Sequence, residues 1–146
     1  GQRVCGFWHG KNGKGKAAIP ARRLDAEFFK GLTGPVTVGL PYRAVCQPVT
    51  PEVQLENGSS RSRECRIHRI VPNLHQSRGG KFGEKPDGPL DPLDVGSAGY
   101  LFSGEVERQF DGGFNEQGNF CIVSDEPYPF TIRSVALKLN YTGDVR

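Results

Sequence analysis

Phe130-Thr131-Ile132-Arg133-Ser134-Val135-Ala136-Leu137-Lys138-Leu139-Asn140-Tyr141 is the stretch whose reading decides the fold, preceded by the turn Asp125-Glu126-Pro127-Tyr128-Pro129. Phe130 and Ile132 share one face with Ser134, whereas Val135, Leu137, Leu139 and Tyr141 share the other. Alternation of this kind predicts a strand, and the one-residue slip of the apolar phase near Arg133 and Ser134 predicts a β-bulge, because an extra residue on one strand re-aims everything after it. Two prolines before the strand and Gly143 after it punctuate it. We expect it to be central to a β domain.

Outward from that strand, the chain alternates short apolar runs with turns. Asn119–Ser124 holds Phe120, Cys121, Ile122 and Val123 in succession, the pattern of a strand covered on both faces. Tyr100, Phe102, Val106 and Phe110 alternate with Leu101, Ser103, Glu105, Glu107 and Gln109 and predict a single strand with one buried face. Arg63–Leu74 reads as a return strand after the turn Asn57-Gly-Ser-Ser60, and Val49–Leu55, crossed by Pro48 and Pro51, as an edge strand at best. Arg3–Trp8, Ala17–Ile19 and Val36–Val38 are further short strands. Leu24, Phe28 and Leu32 fall at helical spacing within Arg22–Leu32, which predicts at most one short helix. Arg78–Gly83 and Glu84–Gly99 read as one long connection without periodicity. The fold expected is all-β, an antiparallel β-sandwich or barrel-like domain with long Gly/Pro-rich loops.

Composition agrees with this. The chain has 146 residues, enough for one domain with a core of its own. Its 20 Gly and 11 Pro suit turns without reaching low complexity. A net charge of +3 is too mild to imply a nucleic-acid or membrane partner unless the charge is concentrated on one face. No apolar run approaches the ~20 residues of a membrane span, and no signal-peptide pattern opens the chain. Gly1 begins a chain that contains no Met, which predicts a processed or excised piece of a longer protein. Cys5, Cys46, Cys65 and Cys121 lie far apart without a Cys-x-x-Cys pair. In a chain of this size the reading favoured is small buried thiols. Disulfides remain the alternative if the chain is secreted, as two sequons (Asn57-Gly-Ser59 and Asn140-Tyr-Thr142) would allow.

Three constellations invite a chemical reading. Gly10-Lys-Asn-Gly-Lys-Gly15-Lys16 has the spacing of a phosphate-binding loop, but Ala17 stands where Ser or Thr must reach Mg²⁺ and Pro20 leaves less than a turn of helix after it. A solvated basic loop is the better reading. Cys65, His68 and His75 approach metal spacing, yet on a strand positions 65 and 68 point to opposite faces. Arg61, Arg63, Arg66 and Arg69, with Lys81 further on, form a basic cluster suited to contacts with acidic neighbours more than with DNA. By strict alternation Arg63 and Arg69 share a face with Cys65 and Ile67, and Arg66 with His68 lies opposite. Asp87, Asp91 and Asp94 lack EF-hand spacing. No nucleophile motif is present, so no catalytic residue, metal or cofactor is expected.

Several segments together resemble a known family: Val36-Thr-Val-Gly-Leu-Pro-Tyr42, Gly58-Ser-Ser-Arg-Ser-Arg63, Cys65-Arg-Ile-His-Arg-Ile-Val71, Asn73-Leu-His-Gln-Ser-Arg-Gly-Gly80, Leu101-Phe-Ser-Gly-Glu-Val106 and Gly118–Val135 with its Asp-Glu-Pro-Tyr-Pro-Phe-Thr core. In this order they are similar to the C-terminal domain of the tail nozzle proteins of short-tailed bacteriophages, also called tail tubular protein B or phage stabilisation proteins. The resemblance spans about Val36 to Tyr141. Members of that family are usually several times longer, so the chain is expected to be either a fragment or a short relative of a longer tail protein. The resemblance implies a structural virion protein without enzymatic activity. It implies a homo-oligomeric ring, commonly hexameric, in contact with adaptor and fibre proteins, with non-specific DNA contact in its channel, assembled in the bacterial cytoplasm. Arg61, Arg63, Arg66, Arg69 and Lys81 are then candidate subunit or DNA contacts. A second class remains open: a secreted or surface β-sandwich that binds carbohydrate or protein through Trp8, Tyr100, Phe102 and Tyr128.

Overall fold

The computed structural model describes residues 4–8, 17–22, 34–40, 42–49, 54–55, 58–59, 64–97, 100–114 and 118–141. Every regular element in them is a β-strand, and every pairing is antiparallel. The predicted helix and the basic loop at 9–16 lie outside the described residues, apart from Arg22, which ends a strand.

The strands are β1 (Val4–Trp8), β2 (Ala17–Arg22), β3 (Val36–Gly39), β4 (Ala44–Cys46), β5 (Gln54–Leu55), β6 (Gly58–Ser59), β7 (Cys65–Ser77), β8 (Lys81–Gly83), β9 (Asp91–Pro92), β10 (Phe102–Glu105), β11 (Arg108–Gln109), β12 (Cys121–Ser124) and β13 (Ile132–Tyr141). The first three form a sheet in the order β2-β1-β3, and β5 pairs with β6. The remaining strands form two four-stranded sheets. One is built on β7, with β13 along one side and β10 followed by β11 along the other; the second has the order β4-β12-β8-β9.

The two four-stranded sheets face each other across one apolar core, which makes this part a β-sandwich. Ile67, Ile70 and Leu74 from β7 meet Phe82 of β8 and Ile122 of β12, with Leu93, Val95, Phe110 and Phe120 filling in from the connections. Ile70, Leu74, Leu93 and Val123 are completely buried, each side chain stabilising the fold by about 1.5–3 kcal/mol relative to an exposed position. Cys121, Ile122 and Val123 are consecutively buried, as the run of apolar residues predicts for an inner strand.

The centre of the sandwich is β7 and not β13, as the sequence led us to expect. Among the described residues β13 pairs with β7 alone, whereas β7 is bonded on both sides. The bulge predicted near Arg133 is present: Ile132 pairs with Leu74 and Ser134 with Asn73, so Arg133 is the extra residue. A second bulge lies on β7, where Lys138 pairs with Arg69 but Leu139 with Ile67, leaving His68 extra. A third irregularity falls between the pairs Phe102–Ser77 and Gly104–Leu74, where Gln76 adopts a φ of 43°.

Two further expectations change. The strand predicted over Tyr100–Phe110 keeps its alternation from Phe102 onward, while Tyr100, expected on the buried face, is exposed, and the strand divides into β10 and β11. Its gap lies opposite Pro72, whose carbonyl accepts from Val106 N–H at 3.1 Å while its ring has no hydrogen to return. The long connection after Ser77 carries β8 and β9 and sends Leu93 and Val95 into the core. Segments of two or three residues are too short to display a period, so the sequence could not reveal them.

Candidate functional site

The bulge at His68 decides the surface chemistry. Strict alternation would turn Arg69 inward with Cys65 and Ile67, but the extra residue restores it to the outer face, so Arg66 and Arg69 are both exposed while Cys65, Ile67 and Ile70 are buried. Lys138, paired with Arg69 across the ladder, is exposed as well. Two of the candidate contact residues and one cation from the neighbouring strand therefore share one face of a hydrogen-bonded sheet.

A single carboxylate ties this face together. Glu107, between β10 and β11, accepts from Arg69 Nη1 and from Lys138 Nζ, the latter at 3.0 Å. The Arg69 hydrogen bond, then that of Lys138, holds the Glu107 carboxyl below the usual carboxylate range. One acid between two bases leaves positive charge in excess, and Arg66 makes no ion pair among the described residues. At the far end of the face Arg133 Nη2 approaches His75 Nδ1 at 2.8 Å, an arrangement in which the imidazole nitrogen accepts.

The other candidate residues lie elsewhere. Lys81 is on β8 of the opposite sheet, where its Nζ bonds Asp125 at 2.7 Å. Arg61 and Arg63 are outside the described residues. Cys65 is buried and His68 half-buried, and no group of three metal-ligating side chains is gathered among the described residues. Asp87 pairs with Arg43 at 3.1 Å, and Asp91 sits on β9. Of the aromatic side chains considered for a binding platform, Phe102 packs on the core, Tyr128 lies under the Arg78 guanidinium at 4.0 Å, and Tyr100 is exposed.

Sequence reasoning missed Glu107 and Lys138 as members of the site, and the pairing of β11 and β13 with β7 is what brings them there. It also missed the anchor beneath. Ser77, fully buried at the end of β7, accepts from Thr131 N–H at 2.8 Å and reaches the carbonyls of His75 at 2.9 Å and Thr131 at 3.2 Å. This joint fixes where β13 enters the sheet. The four cysteines are unpaired: Cys65 and Cys121 are buried, Cys5 half-buried and Cys46 exposed, so the expectation of buried thiols holds for two of them.

Among the described residues no helix is long and apolar enough to cross a membrane. No family model matches the chain, and no curated protein is significantly similar to it.

Proposed function

We propose that this chain is a structural domain that builds a ring with copies of itself, as a tail nozzle component of a short-tailed bacteriophage. The observation that carries the reading is the outer face of β7 and β13, where Arg69 and Lys138 share the Glu107 carboxylate and Arg66 stands exposed on the same face of the sheet. A fixed, cation-rich face suits docking against an acidic surface of a neighbour, because complementary charge sets register and orientation in subunit contacts. The family is named on the motifs from Val36 to Val135 alone, since no family model supports it. In that reading the domain is not catalytic, takes no cofactor, and meets adaptor and fibre proteins in the virion after assembly in the bacterial cytoplasm. Four unpaired cysteines suit a reducing compartment of that kind.

The test is the solution mass of the chain by light scattering, read beside the R66E/R69E variant. The wild type is expected well above 16.0 kDa and the variant at the mass of a monomer. A wild type that stays monomeric at every concentration reached would sink the ring reading.

A further inference from the structure

The sheet built on β7 ends on two unlike edges. Among the described residues β13 pairs with β7 alone on one side, and β10 and β11 pair with β7 alone on the other. A strand edge of this kind offers a row of backbone donors and acceptors to another strand. On β13 their direction follows from Pro72, whose carbonyl accepts from Val106 N–H on the β10–β11 side. In the alternation of an antiparallel ladder, Val135, opposite Pro72, and Leu137, two residues on, therefore turn their N–H and C=O groups away from β7. Apolar side chains at both edges are only half covered. Val135, Leu137 and Leu139 on β13, and Phe102 and Val106 at the other edge, pack against the core yet remain half-buried. A strand laid beside either edge extends the core as well as the ladder.

The outer-face charges of the two edges are opposite. β13 carries Arg133 and Lys138, whereas the segment 102–109 carries Glu105 and Glu107, its Arg108 being turned to the Leu93 carbonyl. Glu107 is held within its own copy by Arg69 and Lys138. Arg133 and Glu105 have no ion-pair partner among the described residues; Arg133 Nη2 meets His75 Nδ1 at 2.8 Å, and Glu105 Oε1 accepts from Asn73 Nδ2 at 3.4 Å. They stand at one height of the sheet, since Ser134 and Glu105 both pair with Asn73 and Arg133 is the bulged residue beside Ser134.

Pairing like edges across a two-fold axis sets Arg133 and Lys138 beside their own copies, or Glu105 and Glu107 beside theirs, and like charges on neighbouring strands are unfavourable. Unlike edges match. β13 and β10–β11 each run antiparallel to β7, hence in one direction, so copies standing side by side in the same orientation join them as a parallel pair. A rotation that closes a ring carries no shift along its axis, so with the strands along that axis residues at one height meet. We propose that β13 of one copy adds to the β10–β11 edge of the next, continuing the β7 sheet around the ring with Arg133 facing Glu105. This rests on the ring-forming reading and names the acidic surface beside which its cationic face docks.

Charge reversal in the whole chain, followed by light scattering and sedimentation, tests the contact. R133E and E105R are each expected to weaken self-association by about tenfold, as exchanging an opposite-charge cross-strand pair for a like-charge one does. The double variant R133E/E105R, in which the pair is swapped, is expected to regain it, which a contact of β13 with β13 does not allow. E105Q, which keeps an acceptor for Asn73, guards against misfolding and is expected to weaken association without altering the far-ultraviolet circular dichroism. Oligomers unmoved by R133E and E105R, or a double variant no better than either single one, would overturn this contact while leaving the ring reading intact. A monomeric wild type would remove both.

Discussion

Ser77 and Gly80 are the positions where a single atom is expected to matter most. Ser77→Ala leaves Thr131 N–H without its acceptor in a buried joint, and an orphaned buried donor costs about 1–3 kcal/mol. An unfolding free energy lowered by that amount, read in urea as a lower midpoint at an unchanged slope, is the expected result. Gly80 is buried, with a φ of +86°, and a Cβ there would drive into the Phe130 ring. Gly80→Ala therefore combines left-handed strain with a clash against a packed aromatic and is expected to cost about 1–3 kcal/mol or more. Thermal unfolding of the two variants checks both, and an Ala at 80 that matched the wild type would show that the crossing between the sheets relaxes freely. Gly80 stood in the sequence within a connection without periodicity, and its clash partner lies 50 positions later in the chain.

At the scale of the element, β7 organises its sheet because it is bonded to β13 on one side and to β10 and β11 on the other. Leu74→Ala, at a completely buried site shared by both neighbours of β7, is expected to cost about 2–5 kcal/mol. The charged outer face of the same strand contributes differently. Arg69 and Lys138 lower the folded-state pKa of Glu107, so the network stabilises the fold above the ordinary carboxylate pKa and its contribution is lost as pH falls through the depressed value. Because Glu107 is exposed to solvent, salt should diminish the effect. The expected outcome is a Glu107 carboxyl resonance that titrates below the usual range in the wild type and moves back up in R69Q. A titration unchanged by R69Q would place the cause elsewhere. The bulge at His68 makes this network possible, and alternation read from the sequence alone places Arg69 on the wrong face.

For the whole molecule, the cysteines report on the packing of the two sheets. Burial pushes the Cys65 thiol up and is also the main cause of the upward shift at Cys121, and both are shielded from solvent, whereas Cys46 is exposed. Because the thiolate is the reactive form, native labelling is expected to modify Cys46 first and to reach Cys65 and Cys121 only on unfolding, with four thiols counted in the denatured chain. A count below four would reveal a disulfide and contradict the packing described here. What the sequence determined by itself was local: the all-β class, the covered strand Cys121–Ser124, the alternation of Phe102–Phe110 and the bulge at Arg133. Each is written in the period of neighbouring side chains or in a visible slip of that period. What the tertiary structure decided was non-local: β7 as the centre, the strand broken opposite Pro72, the burial of Leu93 and Val95, and the meeting of Arg66, Arg69, Lys138 and Glu107 on one face. The bulge at His68 belongs with these, because its extra residue is defined by the register of β13, some 70 positions downstream, and no period within β7 alone contains that information.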